Sequence, residues 1–239
     1  MIHLFFLFII ALIGMALRYF ILGQFEWIQF LYASLFLLAA FAIGVIEKWQ
    51  QRKDATYEPV QPHDHTWYIK IMDRFSPKLK VLFKGNEKIG EYHRFYKRKW
   101  HHWLSEIFLT PSMYLHMKFT FYHNHTIIVE KQNKKKGFVN DVWNIVEDGD
   151  VIGTLRTDIT WKNAAKLKEG LILSIHDKTF YFRSLSVQSK VNVLKEDEVI
   201  ATGKRALHRF QYEFEVEKGY EQIEPYLVIT YILFHYVFK

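Results

Sequence analysis

A chain of 239 residues has room for one domain of ordinary size and an anchor. Half of it is hydrophobic and 18% aromatic, and 32 basic against 25 acidic side chains leave a formal charge of +7, which points to a polyanionic neighbour, nucleic acid or anionic lipid. The absence of cysteine excludes a disulfide framework, a thiolate metal site and a thiol nucleophile.

Residues 2–17 carry no formal charge, and 19–22 continue the apolar run beyond Arg18. A second run, 28–46, is interrupted only by Gln29 and Ser34. Each approaches the roughly 20 residues that a helix needs to cross about 30 Å of hydrocarbon. The connection Gly23-Gln24-Phe25-Glu26 is short and polar, so two membrane helices, 2–22 and 27–46, are expected to form an antiparallel hairpin within a first unit of 1–48. Trp27 and Trp49 bracket the second helix at heights where indole rings settle, and Ala40 with Gly44 forms a small-xxx-small pair that lets helices approach. A cleaved signal peptide fits poorly, because no basic segment precedes the first run and a second span follows at once. Lys48, Arg52 and Lys53 follow the second span, whereas the loop region offers Arg18 and Glu26. The positive-inside tendency then predicts a multi-pass cell-membrane protein with its C-terminal domain in the cytoplasm.

A polar stretch with Pro59 and Pro62 reads as a linker over 49–64. Strand signals follow at 67–72, 79–84, 89–95, 114–122, 126–131, 142–146, 151–156, 171–175, 179–183, 191–194, 199–204 and 211–216. In Tyr212-Glu213-Phe214-Glu215-Val216 the apolar residues share one face and the glutamates the other. Charged turns between such runs predict an antiparallel meander or barrel over 65–239.

One phrase recurs three times. Phe83-Lys84-Gly85-Asn86-Glu87-Lys88-Ile89-Gly90 resembles Val146-Glu147-Asp148-Gly149-Asp150-Val151-Ile152-Gly153 and Leu194-Lys195-Glu196-Asp197-Glu198-Val199-Ile200-Ala201. Each is a strand end, a charged turn and an apolar pair closed by a small residue that admits a bulge or a close backbone. The unequal separations make this repeated hairpin grammar and not a solenoid.

The final segment, 225–238, reads PYLVITYILFHYVF and has no formal charge. As a helix at ~1.5 Å per residue it spans about 21 Å, short of a bilayer core. Pro225 suits a first helical turn, and a helix apolar on all sides needs apolar neighbours on all sides. A closed barrel threaded by this helix supplies them; a third membrane span or a C-terminal strand are the other readings.

Many hairpin-linked strands followed by a wholly apolar C-terminal helix resemble the tubby-like superfamily, which includes the tubby C-terminal domain, the phospholipid scramblases and the LURP-one-related proteins. The resemblance covers about residues 65–239 and implies an all-β barrel of about twelve antiparallel strands around a hydrophobic helix, here preceded by the transmembrane hairpin. It also implies a membrane-surface module that binds anionic lipid. Tubby proteins hold a phosphoinositide headgroup with a Lys-x-Arg pair; the nearest counterpart, Lys97-Arg98-Lys99, departs from that pattern and carries over no specific headgroup. Scramblases place one hydrophobic helix near a chain end, whereas two stand at the front of this chain.

The segment from Tyr92 through Trp103 mixes cations with amphipathic aromatics. Anionic headgroups attract the cations while Trp and Tyr settle at headgroup level. The expected lipid contacts are Arg94, Lys97, Arg98 and Lys99, with Trp100 and Trp103 as interfacial anchors. Lys131 and Lys134-Lys135-Lys136, before Gly137, read as a solvated hairpin tip. No GxSxG, P-loop, HExxH or dinucleotide turn is present, so a non-enzymatic protein without cofactor is expected. His63-x-His65 and His123-x-His125 place imidazoles on one side of an extended chain, with His93, His101, His102 and His116 between them, but lack carboxylate partners at ligand spacing. No metal site is therefore assigned, and a His-rich metal-binding protein is a second alternative. The sequon at Asn124 matters only on a luminal side, and no nucleic-acid motif accompanies the charge. The leading expectation is a membrane-anchored module binding anionic phospholipid at the cytoplasmic leaflet; the first alternative is a membrane-tethered protein-interaction scaffold.

Overall fold

The computed structural model describes residues 2–59, 62–71, 74–122, 125–132, 140–159, 168–185, 190–206 and 211–238. Met72, His123, Asn124, Lys134, Lys135, Lys136 and Gly137, each named in an expectation above, lie outside them.

Two helices open the chain: α1 (Ile2–Leu22) and α2 (Trp27–Ala55), packed on one another. Ala33 and Ala40 are buried where the helices meet, and Gly44 is half-buried. Arg18 forms an ion pair with Glu26 across the connecting turn. The segments His3–Leu22 and Trp27–Gln50, of 20 and 24 residues, are long and apolar enough to cross a membrane. Helix α2 runs to Ala55, into the stretch expected as linker. Its second half is made of good helix formers such as Glu47, Lys48, Arg52 and Lys53, and no proline interrupts it before Pro59.

The strands are β1 (Thr66–Lys70), β2 (Lys80–Lys84), β3 (Glu87–Phe95), β4 (His116–Phe121), β5 (Thr126–Lys131), β6 (Val142–Glu147), β7 (Asp150–Thr157), β8 (Lys168–Ile175), β9 (Lys178–Leu185), β10 (Lys190–Lys195), β11 (Glu198–Ala206) and β12 (Gln211–Val216). A short helix, α3 (Lys99–Ile107), lies between β3 and β4, and α4 (Glu224–Phe238) ends the chain. Among the described residues these strands form a closed barrel in which each pairs antiparallel with its chain neighbours. Pairing of β1 with β12, from Thr66↔Glu215 to Lys70↔Gln211, closes it. The all-β barrel read from the sequence is the fold found.

The period of two is visible throughout. In β4 and β6, Met117, Phe119, Trp143 and Ile145 point inward and are fully buried. The three repeated phrases fall on the β2–β3, β6–β7 and β10–β11 hairpins, every fourth strand, and each pairing slips by one residue beside its small residue. A β-carbon on Gly90 or Gly153 would press on the carbonyl of Thr120 or Ser174 in the next strand, which is why side chains are absent there.

Helix α4 fills the barrel. Residues from Tyr226 to Tyr236 are buried throughout, so it is neither a membrane span nor a strand. At its start the Glu224 carboxylate accepts from Trp67 Nε1 (2.7 Å) and Lys84 Nζ (2.6 Å), which suits the positive end of a helix dipole. At its end Lys80 Nζ donates to the Tyr236 hydroxyl (2.6 Å) and Arg74 to the His235 carbonyl (3.3 Å), placing cations at the negative end. Midway, Tyr231 donates its hydroxyl toward the carbonyls of Glu213 and Lys204, 3.2 and 3.3 Å away.

The two mouths of the barrel differ. Two-residue turns at Gly85-Asn86, Asp148-Gly149, His176-Asp177 and Glu196-Asp197 crowd one mouth and are mostly acidic. The other mouth receives α3, the C-terminal end of α4 and both ends of the helical hairpin. There Lys70 Nζ donates to the Lys53 carbonyl (3.4 Å) and Tyr57 to Gln211 Oε1 (2.8 Å). His3 Nε2 donates to the Glu106 carbonyl at 2.8 Å.

Candidate functional site

The cationic-aromatic segment read from the sequence forms the end of β3, a short connection and α3. Along α3, Trp100, Trp103, Leu104 and Ile107 follow the helical period and share one face. On that face Trp100 is 47% and Trp103 58% exposed, and just beyond the helix Phe108 and Leu109 are 61% and 65% exposed. The opposite face docks on the barrel through Ser105, which is fully buried, and His101, whose ring stacks on Tyr114 at 3.9 Å. Lys97, Arg98 and Lys99 lie exposed at the start of the helix. Lys97 is shared with Glu130 through a 2.9 Å ion pair, and Arg98 is extended at the N-cap without a side-chain cap.

Arg94 does not belong with these contacts. It points inward from β3 on the same face as Tyr92 and is fully buried, so the expectation that it meets a headgroup is corrected. Its guanidinium donates to the carbonyls of Arg74 (2.9 Å) and Met113 (2.7 Å), reaches Ser105 Oγ at 3.4 Å, and lies 4.5 Å from the Tyr96 ring centre. One side chain thereby ties the 74–76 segment, α3 and the loop after α3 to the barrel. Its role is to position the helix.

Three imidazoles near α3, those of His93, His101 and His116, are held toward the neutral form. Burial, then the cations Lys97 and Arg94, hold His116 down to about 4, against the pull of Glu130. His93 is lowered by burial and Lys118, and His101 by burial and Arg98. Lys97, Arg98 and Lys99 supply exposed positive charge here. An exposed aromatic face rimmed by cations is the chemistry of a helix that lies in a membrane interface.

Among the described residues, the histidines of the two His-x-His pairs do not converge on one site. His63 and His65 line a polar cleft of about 770 Å³ at the acidic mouth, together with Lys84, Glu217 and Glu221. His125 pairs with Glu147, which also accepts from the Tyr226 hydroxyl at 2.9 Å. Among the described residues no three His, Asp or Glu side chains group as metal ligands.

Sequence reasoning named five of the exposed residues of this site but missed the helix that presents them. The spacing of Trp100, Trp103, Leu104 and Ile107 was the available signal. Phe108, Leu109 and the link from His3 to Glu106 went unread, the last because it joins residues about a hundred positions apart.

A family model described as "Tubby C-terminal like domain" matches residues 68–239, from the third residue of β1 to the end of the chain. No curated protein and no solved structure matches.

Proposed function

The chain belongs to the tubby C-terminal-like domain family, and we propose that it is a membrane-anchored, non-enzymatic member that binds anionic phospholipid headgroups at the cytoplasmic leaflet. The hairpin α1–α2 is the anchor, and its two ends leave the membrane beside the mouth of the barrel that receives α3. Lys97, Arg98 and Lys99 meet headgroup phosphates, Trp100 and Trp103 enter the interface, and Arg94 holds the helix in place from beneath.

The observation that carries this reading is the contact of α3 with the first turn of α1. The His3–Glu106 hydrogen bond sets α3 at the level where the first apolar helix begins, with its tryptophans turned away from the barrel. A helix at that height meets the headgroup layer. Each basic side chain near an anionic surface contributes about 1 kcal/mol, so three act together with the tether to favour acidic lipid.

The test is the phospholipid that surrounds the full chain. After mild detergent extraction, the native protein retains phosphatidylglycerol or phosphatidylserine in excess over its share of the membrane. Replacing Lys97, Arg98 and Lys99 together by glutamine removes the excess. Retention in proportion to bulk composition, unchanged by the triple substitution, rejects the reading.

A further inference from the structure

Beside α3, between the 110–114 loop and the ends of β4 and β5, lies a cavity of about 410 Å³. Lys131 and Asp141 meet in its wall at 2.8 Å, with side chains 13% and 12% exposed. Each is also held from elsewhere: Lys131 Nζ donates to the Ser112 carbonyl (2.7 Å), and the Asp141 amide donates to Thr157 Oγ1 (2.8 Å). The pair is therefore part of a fixed frame that presents one positive and one negative group side by side. His116, which also lines the cavity, accepts from the Lys131 amide through Nδ1 (3.1 Å) and is neutral at physiological pH.

The loop that closes the cavity is built against its own backbone preference. Leu109 and Tyr114 both adopt left-handed conformations, with φ of 49° and 51°, that side-chain-bearing residues avoid. Such positions persist where the surroundings over-determine them, and they gather at ligand clamps. Here the Arg94 bond to the Met113 carbonyl and the Tyr114–His101 stack do the holding. Phe108 and Leu109, which precede the lining residue Thr110 in the chain, are exposed, and the Lys131 ammonium lies 5.4 Å from the Trp143 ring centre.

We propose that this cavity is a subsite for a zwitterionic phospholipid headgroup bearing a primary ammonium, the phosphoethanolamine class. It rests on the membrane-facing placement of α3 proposed above. A headgroup whose phosphate and ammonium are joined by two carbons sets its phosphate toward Lys131 and its ammonium toward Asp141, extending the ion pair into an alternating set of four charges. A purely anionic headgroup brings a phosphate against the Asp141 carboxylate without an ammonium to offset it. A choline headgroup offers the same charges but has no N–H to donate and a bulkier end. The acyl chains leave past Phe108 and Leu109 toward the bilayer.

The experiment uses the full chain in mild detergent, presented with equal amounts of phosphatidylethanolamine, phosphatidylcholine and phosphatidylglycerol of identical acyl chains, and reads retained lipid by native mass spectrometry. The loss of charge-assisted N–H bonds predicts retention of the ethanolamine lipid about tenfold above the choline lipid. Asp141→Asn lowers it to the choline level and, because it removes the carboxylate that opposes a lone phosphate, does not lower phosphatidylglycerol retention. Because Asp141 also holds Lys131, Thr110→Trp serves as a second variant that fills the cavity without touching the pair, and it too removes the preference. Equal retention of ethanolamine and choline lipids by the native chain overturns the proposal, as does a preference that survives either folded variant. An ethanolamine preference that persists while phosphatidylglycerol retention is unselective supports the cavity and removes the anionic reading instead.

Discussion

The imidazole of His3 donates to the carbonyl of Glu106 at 2.8 Å, fastening the first turn of the apolar hairpin to the last turn of α3. One such bond contributes roughly 0.5–1.5 kcal/mol. His3→Ala is therefore expected to leave the barrel's melting temperature unchanged and to raise amide exchange across 99–107 in the full chain. Unchanged exchange there removes the contact from the account.

Arg94 and the neighbouring cations are separable. Arg94→Met leaves the carbonyls of Arg74 and Met113 without their donor inside the structure, and a loss of about 3 kcal/mol or more is expected. Lys97→Gln, Arg98→Gln and Lys99→Gln sit on the surface and shift stability by no more than about 0.5 kcal/mol. Together they are expected to weaken retention of anionic lipid on the order of a hundredfold. Chemical denaturation and lipid retention, measured on both sets, distinguish the two roles.

Gly203 faces the ring of Tyr231 so closely that a β-carbon would come within 2.2 Å of its Cε2. Gly203→Ala is expected to cost about 1–3 kcal/mol through displaced α4 packing. Gly14, on the open side of α1, has nothing within reach, and Gly14→Ala should be neutral. Equal melting temperatures for both variants would place α4 differently in the barrel.

Acid should loosen the α3 mouth. Burial holds His116 down to about 4 in the folded chain, against the ordinary histidine value of about 6.5 when unfolded, so the unfolded chain takes up more protons throughout that window. Stability contributed by the neutral imidazole is complete above pH 6.5 and is lost as pH falls toward 4, by up to about 3 kcal/mol. His116→Phe is expected to flatten the fall in denaturation midpoint over this range. A native chain whose midpoint does not fall between pH 7 and 4.5 contradicts the burial of His116.

The barrel was legible because its signals are local. Alternation such as that in β12 and the charged two-residue turns mark each hairpin within a few positions. The repeated Ile-Gly and Ile-Ala pairs even marked the bulges, although unequal loop lengths hid their spacing of four strands. The helix in the barrel followed from a segment apolar on every side. Arg94 misled because its charge outweighed its place in the alternation, two residues after Tyr92 on the inner face. The cavity beside α3 could not be read at all. Its wall brings together 110–116, 131–132 and 141 from separate segments, and only the pairing of β4 with β5 and β5 with β6 makes them neighbours.

The native chain contains no cysteine, so a single nitroxide can report the height of α3 without background. Trp103→Cys, labelled in the full chain reconstituted into bilayers, should collide more often with dissolved oxygen than with a water-soluble nickel chelate. The same label at Val151, exposed on the acidic mouth, should show the reverse. If both labels meet the nickel chelate equally, α3 stands in water and the membrane-facing account is wrong.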